Sequence, residues 1–115
     1  MMEDCLFCQI IHKKIPAEIV YENERVLAFK DINPQAPTHL LIIPKIHVPT
    51  LNELEDHHKE MMGELLLTAS HLAKKERIAD DGYRTGFNCG EAGGQTVWHI
   101  HLHLLGGRSF NWPPG

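Results

Sequence analysis

Apolar residues in this chain pair up, alternate and then recur at helical spacing, and these regimes divide it into elements. Over residues 4–13, Phe7, Ile10 and Ile11 fall on one side of a short helix, with Asp4 placed to cap its start and Pro16 beyond its end. Two short apolar-rich runs, Ile19–Glu22 and residues 26–31, flank Asn23-Glu24-Arg25, the spacing of a hairpin. Asn33-Pro34-Gln35-Ala36-Pro37 reads as a loop, and residues 39–44 as a continuously apolar, central strand closed by Pro44. From 52 to 78, Leu54, Met61, Met62, Leu65, Leu66, Ala69 and Leu72 repeat with a helical period. That predicts one long amphipathic helix whose stripe is core or dimer surface, with His57, His58 and His71 in solvent. Asp80-Asp81-Gly82 then turns the chain into a strand over 83–88.

The last strand is the informative one. In Trp98-His99-Ile100-His101-Leu102-His103-Leu104-Leu105 polar and apolar positions alternate strictly. A strand places His99, His101 and His103 on one face, roughly 6.5–7 Å apart, and sends Ile100, Leu102 and Leu104 into a core. Helix, three strands, long helix and two strands predict an α+β fold with a mostly antiparallel sheet of about five strands. At 115 residues and 43% hydrophobic the chain fits a single domain, 1–115.

Charge and cysteine usage narrow the chemistry. The net charge is −4 with no cluster of Lys and Arg, which removes the electrostatic footprint of a nucleic-acid polymer but leaves a mononucleotide open. No apolar run reaches a membrane span, and Met1-Met2-Glu3-Asp4-Cys5 lacks the basic and apolar segments of a leader, so the expected location is cytoplasmic. Three cysteines do not make an even-numbered disulfide framework. Cys5-Leu6-Phe7-Cys8 has the spacing of a metal or redox pair; with no strand ahead of it, a thioredoxin-like order is absent and metal is favoured.

Lys, Thr or Gln would serve a solvent face as well as histidine, yet three of nine histidines fall in five residues. Such a row supports nucleophilic or acid/base chemistry and metal ligation. Cys5, Cys8, His47 and one end member of the triplet would complete a closed, structural site with two cysteines and two histidines; the spacing leaves open which end. Just upstream, Gly93 and Gly94 let backbone amides approach an anion, and Gln95 and Thr96 add side-chain donors, a candidate phosphate cradle. A neutral imidazole beside it can attack phosphorus directly and form a phosphohistidine that water hydrolyses.

His99-Ile-His101-Leu-His103-Leu-Leu matches the His-Φ-His-Φ-His-Φ-Φ signature of the histidine triad superfamily. Phe29-Lys-Asp31-Ile-Asn-Pro-Gln-Ala-Pro-Thr-His39, Ile43-Pro-Lys, Gly94-Gln-Thr-Val97, Leu105-Gly-Gly-Arg and Trp112-Pro-Pro-Gly115 resemble its HINT branch, the purine nucleoside phosphoramidases also described as protein kinase C-interacting proteins. The resemblance implies a homodimer with one continuous sheet. It implies hydrolysis of adenosine or guanosine 5′-phosphoramidates to nucleoside monophosphate and amine, with no cofactor in the chemical step. It also implies roles: His101 as nucleophile, His103 on the phosphate, His39 in a supporting histidine network and Thr96 helping the leaving group. By the same matching Phe7, Ile10, Phe29 and Ile32 enclose the base, Asp31 holds the ribose hydroxyls, and Asn88 with Gly94, Gln95, Thr96 and Val97 lines ribose and phosphate. Trp112 would influence amine preference. Zinc-bearing relatives imply zinc on Cys5, Cys8, His47 and His99.

Three other readings stand beside this one. They are a zinc hydrolase whose triplet binds a catalytic metal, a nucleotide-binding regulatory protein, and a dinucleoside polyphosphate hydrolase as in the Fhit branch. The tail and Pro-Gln-Ala-Pro-Thr-His39 follow the HINT pattern rather than the last.

Overall fold

The computed structural model describes residues 4–115; residues 1–3, on which the leader reading partly rests, lie outside them. The elements run α1 (Leu6–Ile11), β1 (Ile19–Glu22), β2 (Val26–Lys30), β3 (Thr38–Pro44), α2 (Lys59–Lys75), β4 (Tyr83–Gly86) and β5 (Leu102–Gly106). The strands form one sheet in the order β1-β2-β3-β5-β4, every neighbour antiparallel, as the element order predicts. Among the described residues no helix is long and apolar enough to cross a membrane.

Residues directly opposite in an antiparallel pair share a face, so the registers sort the sheet into two sides. Val26, Ala28, Leu40, Ile42, Leu102 and Leu104 face α2, which closes the main core with Leu65, Ala69, Leu72 and Ala73. Leu65 is fully buried, and truncating it to alanine would cost about 2–5 kcal/mol. On the other side Leu27, Phe29, Leu41 and Ile43 carry α1 through Cys5, Phe7, Cys8 and Ile10. Because α1 is short, it covers only the β2–β3 half. Gly86 opposite His103, and Arg84 opposite Leu105, continue that face across β4 and β5.

Several elements differ from the sequence expectation. Cys5, not Asp4, caps α1: its sulfur accepts the Cys8 N–H at 3.3 Å, and the helix ends at Ile11 before a left-handed Lys13. The long helix starts at Lys59 rather than 52. Thr50 and Glu53 cap each other's backbone around a separate 3-10 turn, Leu54 is extended, and a second turn over Asp56–His58 leads into the helix. His58 is consequently buried rather than solvated, its Nδ1 accepting the Glu55 N–H at 2.9 Å. His57 and His71 are exposed, and so is Leu66, which the periodicity assigns to the stripe. The helix closes in a Schellman arrangement, with Arg77 N–H on Lys74 O, Ile78 N–H on Ala73 O, and Arg77 left-handed at φ 61°. β4 ends at Gly86, two residues early, and β5 pairs only from Leu102, because Ile100 N–H bonds Val48 O instead of the sheet.

Candidate active site

The first turn of α1 and two distant segments bring four soft donors together. Cys5 Sγ lies 3.5 Å and Cys8 Sγ 3.6 Å from His99 Nδ1, Cys8 Sγ 3.4 Å from His47 Nδ1, and the two Nδ1 atoms are 3.2 Å apart. Tetrahedral bonds of about 2.3 Å to sulfur and about 2.05 Å to nitrogen give N···N and S···N edges of about 3.3–3.6 Å, so the cluster has the size of a closed metal site. Either end of the triplet suits the spacing; the fold brings His99 to the cysteines and His47. Its Nε2–H donates to Pro44 O at 2.8 Å, which turns the Nδ1 lone pair toward the sulfurs and supplies the second hydrogen bond typical of a ligating histidine. Burial holds the His99 imidazole down at about 4, and burial pushes the Cys5 thiol up. A cation among these donors would favour the neutral imidazole and the thiolate.

The remaining histidines form a second assembly whose tautomers follow from its hydrogen bonds. His101 is 7% exposed and its Nδ1–H donates to His99 O at 2.8 Å, leaving the Nε2 lone pair free of any protein partner among the described residues. Gln35 N–H donates to His39 Nδ1 at 3.0 Å, so His39 carries its proton on Nε2, 2.9 Å from His103 Nδ1. His103 then carries its proton on Nε2, a buried atom with no partner among the described residues. The His101 and His103 rings are 5.0 Å apart, and the Phe7 ring meets His101 edge-on at 5.1 Å. Burial lowers the pKa of His101 and His39, and lowers His103 to about 4 with help from His101 and His39. Near neutral pH the cluster is therefore an array of neutral imidazoles with one lone pair and one N–H unspent.

Asp31 accepts from Asn33 N–H and stands 3.4 Å from His39 Nε2. Asp31, His39 and His103 are close enough to share an ion, but the His39–His103 hydrogen bond already spends the nitrogen lone pair such an ion would need.

Other expected residues divide between core and rim. Phe7, Ile10 and Phe29 are buried together, the two phenylalanine rings 5.3 Å apart, whereas Ile32 is 98% exposed. Asn88 lines a cavity of about 530 Å³ with His39 and His103, closed on one side by Pro114 and Gly115, while Trp112 points to solvent. In the cradle Gly94 is left-handed at φ 86°, and a side chain at Gly93 would overlap the Cys89 carbonyl. Thr96 is exposed and Val97 packs against the α1 cluster. Gln95 differs from the expected ligand donor. Its amide is buried and spent within the protein, Nε2 donating to Pro49 O at 2.7 Å and Val97 O at 3.1 Å, Oε1 accepting from Gly90 N–H at 2.9 Å. It clamps the turn bearing His47 to the segment leading to His99.

The orienting groups that sequence reasoning missed are mostly backbone: Pro44 O, His99 O and Gln35 N–H. No residue-type signal marks them, because every residue carries the same peptide group.

The HIT domain family model matches residues 12–110. A purine nucleoside phosphoramidase of Escherichia coli K12 is 50% identical over 108 residues, covering 94% of this chain and 91% of its own. A 14 kDa zinc-binding protein of Zea mays is 55% identical over 112 residues, covering 96% of this chain and 87% of its own. The crystal structure of a HIT family hydrolase from Legionella pneumophila Philadelphia 1 superposes with a TM-score of 0.96 at 54% identity, covering 97% of this chain and 100% of that one. The chain therefore belongs to the HIT family, with the fold of a HIT family hydrolase.

Proposed function

We propose that this protein is a purine nucleoside phosphoramidase, cleaving the P–N bond of adenosine or guanosine 5′-phosphoramidates through a nucleotidyl-His101 intermediate. The observation that carries the reading is the orientation of His101: its Nδ1–H is anchored on His99 O, so the Nε2 lone pair of a largely buried, neutral imidazole is left unspent. Attack of Nε2 on phosphorus forms a P–N bond to imidazole. The P–N bond to the amine breaks, and the departing nitrogen takes a proton from solvent through the Thr96 hydroxyl. Water then cleaves the phosphoimidazole, releasing nucleoside monophosphate and restoring His101. The unpartnered His103 Nε2–H is a ready donor to a phosphoryl oxygen, joined by backbone amides of the cradle. Asp31 would take the ribose hydroxyls, Asn88 the ribose and phosphate, and Phe7, Ile10, Phe29 and Ile32 the purine.

In the same reading Cys5, Cys8, His47 and His99 hold zinc, which ties α1 to the histidine segment and takes no part in the chemical step. The maize relative's description and the two-sulfur, two-nitrogen donor set support it. The protein works as a single-domain, cytoplasmic homodimer with its sheets joined. The test is turnover of a fluorogenic adenosine 5′-phosphoramidate by the wild type and His101→Ala. AMP release by the wild type alone is the expected result; activity in both removes His101 as nucleophile, and AMP binding without turnover favours a regulatory role.

A further inference from the structure

Three arginines of this acidic chain line one cavity beside β4 and β5. Arg77, Arg84 and Arg108 line a cavity of about 600 Å³ together with Tyr83, Phe110 and a single acidic residue, Asp81. Among the described residues none of the three pairs with a carboxylate, whereas Arg25 pairs with Glu64 at 2.6 Å. Two of them are nevertheless held in place. Arg84 donates to Asn111 O at 2.8 Å, Arg108 donates to Gln35 O and Ser109 O at 3.0 Å each, and both guanidinium carbons lie over the Phe110 ring, at 5.2 and 4.2 Å. Arg77 sits at the left-handed position that ends α2. A guanidinium has five donors, so each keeps N–H groups free beyond these bonds.

Arg84, Arg108 and Phe110 also line the cavity that holds His39, His103 and Asn88, so they form a wall shared by the two spaces. A continuous path of hydrogen bonds joins them as well. Arg108 Nε–H meets Gln35 O, the Gln35 N–H meets His39 Nδ1, and His39 meets His103. The held guanidinium groups of Arg84 and Arg108, without acidic partners and with Arg77 lining the same cavity, select for carboxylate or phosphate oxygens.

We infer that Arg77, Arg84 and Arg108 form an anion subsite for the leaving group, so that phosphoramidates whose amine bears a carboxylate or phosphate are preferred. The inference rests on the phosphoramidase reading and names its substrate class. Two matched pairs of adenosine 5′-phosphoramidates test it: those of glycine and glycinamide, and those of phosphoethanolamine and ethanolamine. The wild type should favour the charged member by about tenfold or more in kcat/KM, the effect of one added charge-assisted hydrogen bond. The stronger preference of the two pairs identifies carboxylate or phosphate as the fitted group. Arg84→Gln should erase the preference, its kcat/KM falling about tenfold more on the charged than on the neutral member of each pair. Arg77→Asn, a residue that accepts a left-handed backbone, should reduce the preference without touching the Phe110 stack. Equal kcat/KM for both members of both pairs overturns the subsite, as does an undiminished preference in both variants. Calorimetric titration of the same compounds onto His101→Asn reads binding separately from cleavage. Charged-member preference there, with no hydrolysis by the wild type, keeps the subsite and removes the phosphoramidase reading.

Discussion

His39 Nε2 lies 2.9 Å from His103 Nδ1, and that contact places the His103 proton on Nε2, a buried nitrogen with no partner among the described residues. Because Gln35 N–H occupies the other nitrogen of His39, the direction of donation is forced from loop to β3 to β5. A His39→Phe variant, which cannot donate, frees His103 to adopt the other tautomer, and kcat should fall by about 10²-fold, as for loss of one preorganised donor. His39→Gln, which keeps an N–H donor, should recover part of the loss. Equal rates for wild type and both variants would dissociate His39 from the chemistry.

Buried histidines also set how stability varies with pH. His103 titrates at about 4 in the folded protein against 6.5 as an ordinary imidazole, mainly through burial. Between those values the unfolded chain binds more protons, so stability rises with pH across the window and is lost as pH falls from about 6.5 to about 4. Melting temperatures from pH 7.5 to 4.5 should decline less steeply for His103→Asn than for wild type at equal metal content. Parallel curves would mean that other groups dominate the acid limb.

Metal removal should cost stability rather than chemistry. The four donors bridge α1, the turn after β3 and the histidine segment, while the α2 core contains none of them. Chelation is expected to lower Tm by roughly 10–20 °C, the effect of a ligand bound at about a thousand times its Kd in a domain of this size. Cys8→Ser should reproduce the shift. Turnover per folded molecule, measured well below the new Tm, should stay within about threefold, a change of about 0.7 kcal/mol or less in barrier; its abolition would point to a catalytic metal.

Gln95 should behave as a positioning residue. Its amide joins Pro49 O and Val97 O across the cradle, and Gln95→Met leaves both carbonyls without that donor at a cost of about 1–3 kcal/mol. Displacement of Thr96 and Val97 should reduce kcat/KM by about 10–100-fold. Gln95→Glu should not rescue it, since an ionised carboxylate cannot donate to either carbonyl. Retained kcat/KM in Gln95→Met would assign the amide a purely structural part.

At Gly93 a methyl group would collide with the backbone of Cys89, which has no rotamer with which to yield. Gly93→Ala is expected to destabilise the fold by about 1–3 kcal/mol in chemical denaturation. The same substitution should weaken AMP binding by reshaping the cradle. Unchanged Kd and stability would show that the loop can re-form around a side chain.

Local spacing determined much of this molecule. Period-two alternation sent Leu102 and Leu104 into the core and His103 to the other face, helical recurrence of Leu65, Ala69 and Leu72 marked the buried stripe of α2, and the spacing of Cys5 and Cys8 suited one turn of α1. These are properties of neighbours in the chain, which backbone geometry converts directly into direction. His99 and His101, by contrast, precede β5 and take their places from hydrogen bonds to Pro44 O and His99 O. Where local capping competed with periodicity, around Thr50 and Glu55, the pattern overextended the helix and left His58 in solvent. Tertiary structure alone decided the long-range relationships. It chose His99 as the end of the triplet beside the cysteines, turned Gln95 inward, fixed the histidine tautomers through Pro44 O, His99 O and Gln35 N–H, and gathered Arg77, Arg84 and Arg108 around Phe110. Each depends on which strands pair and on backbone groups common to every residue, so no local pattern encodes it.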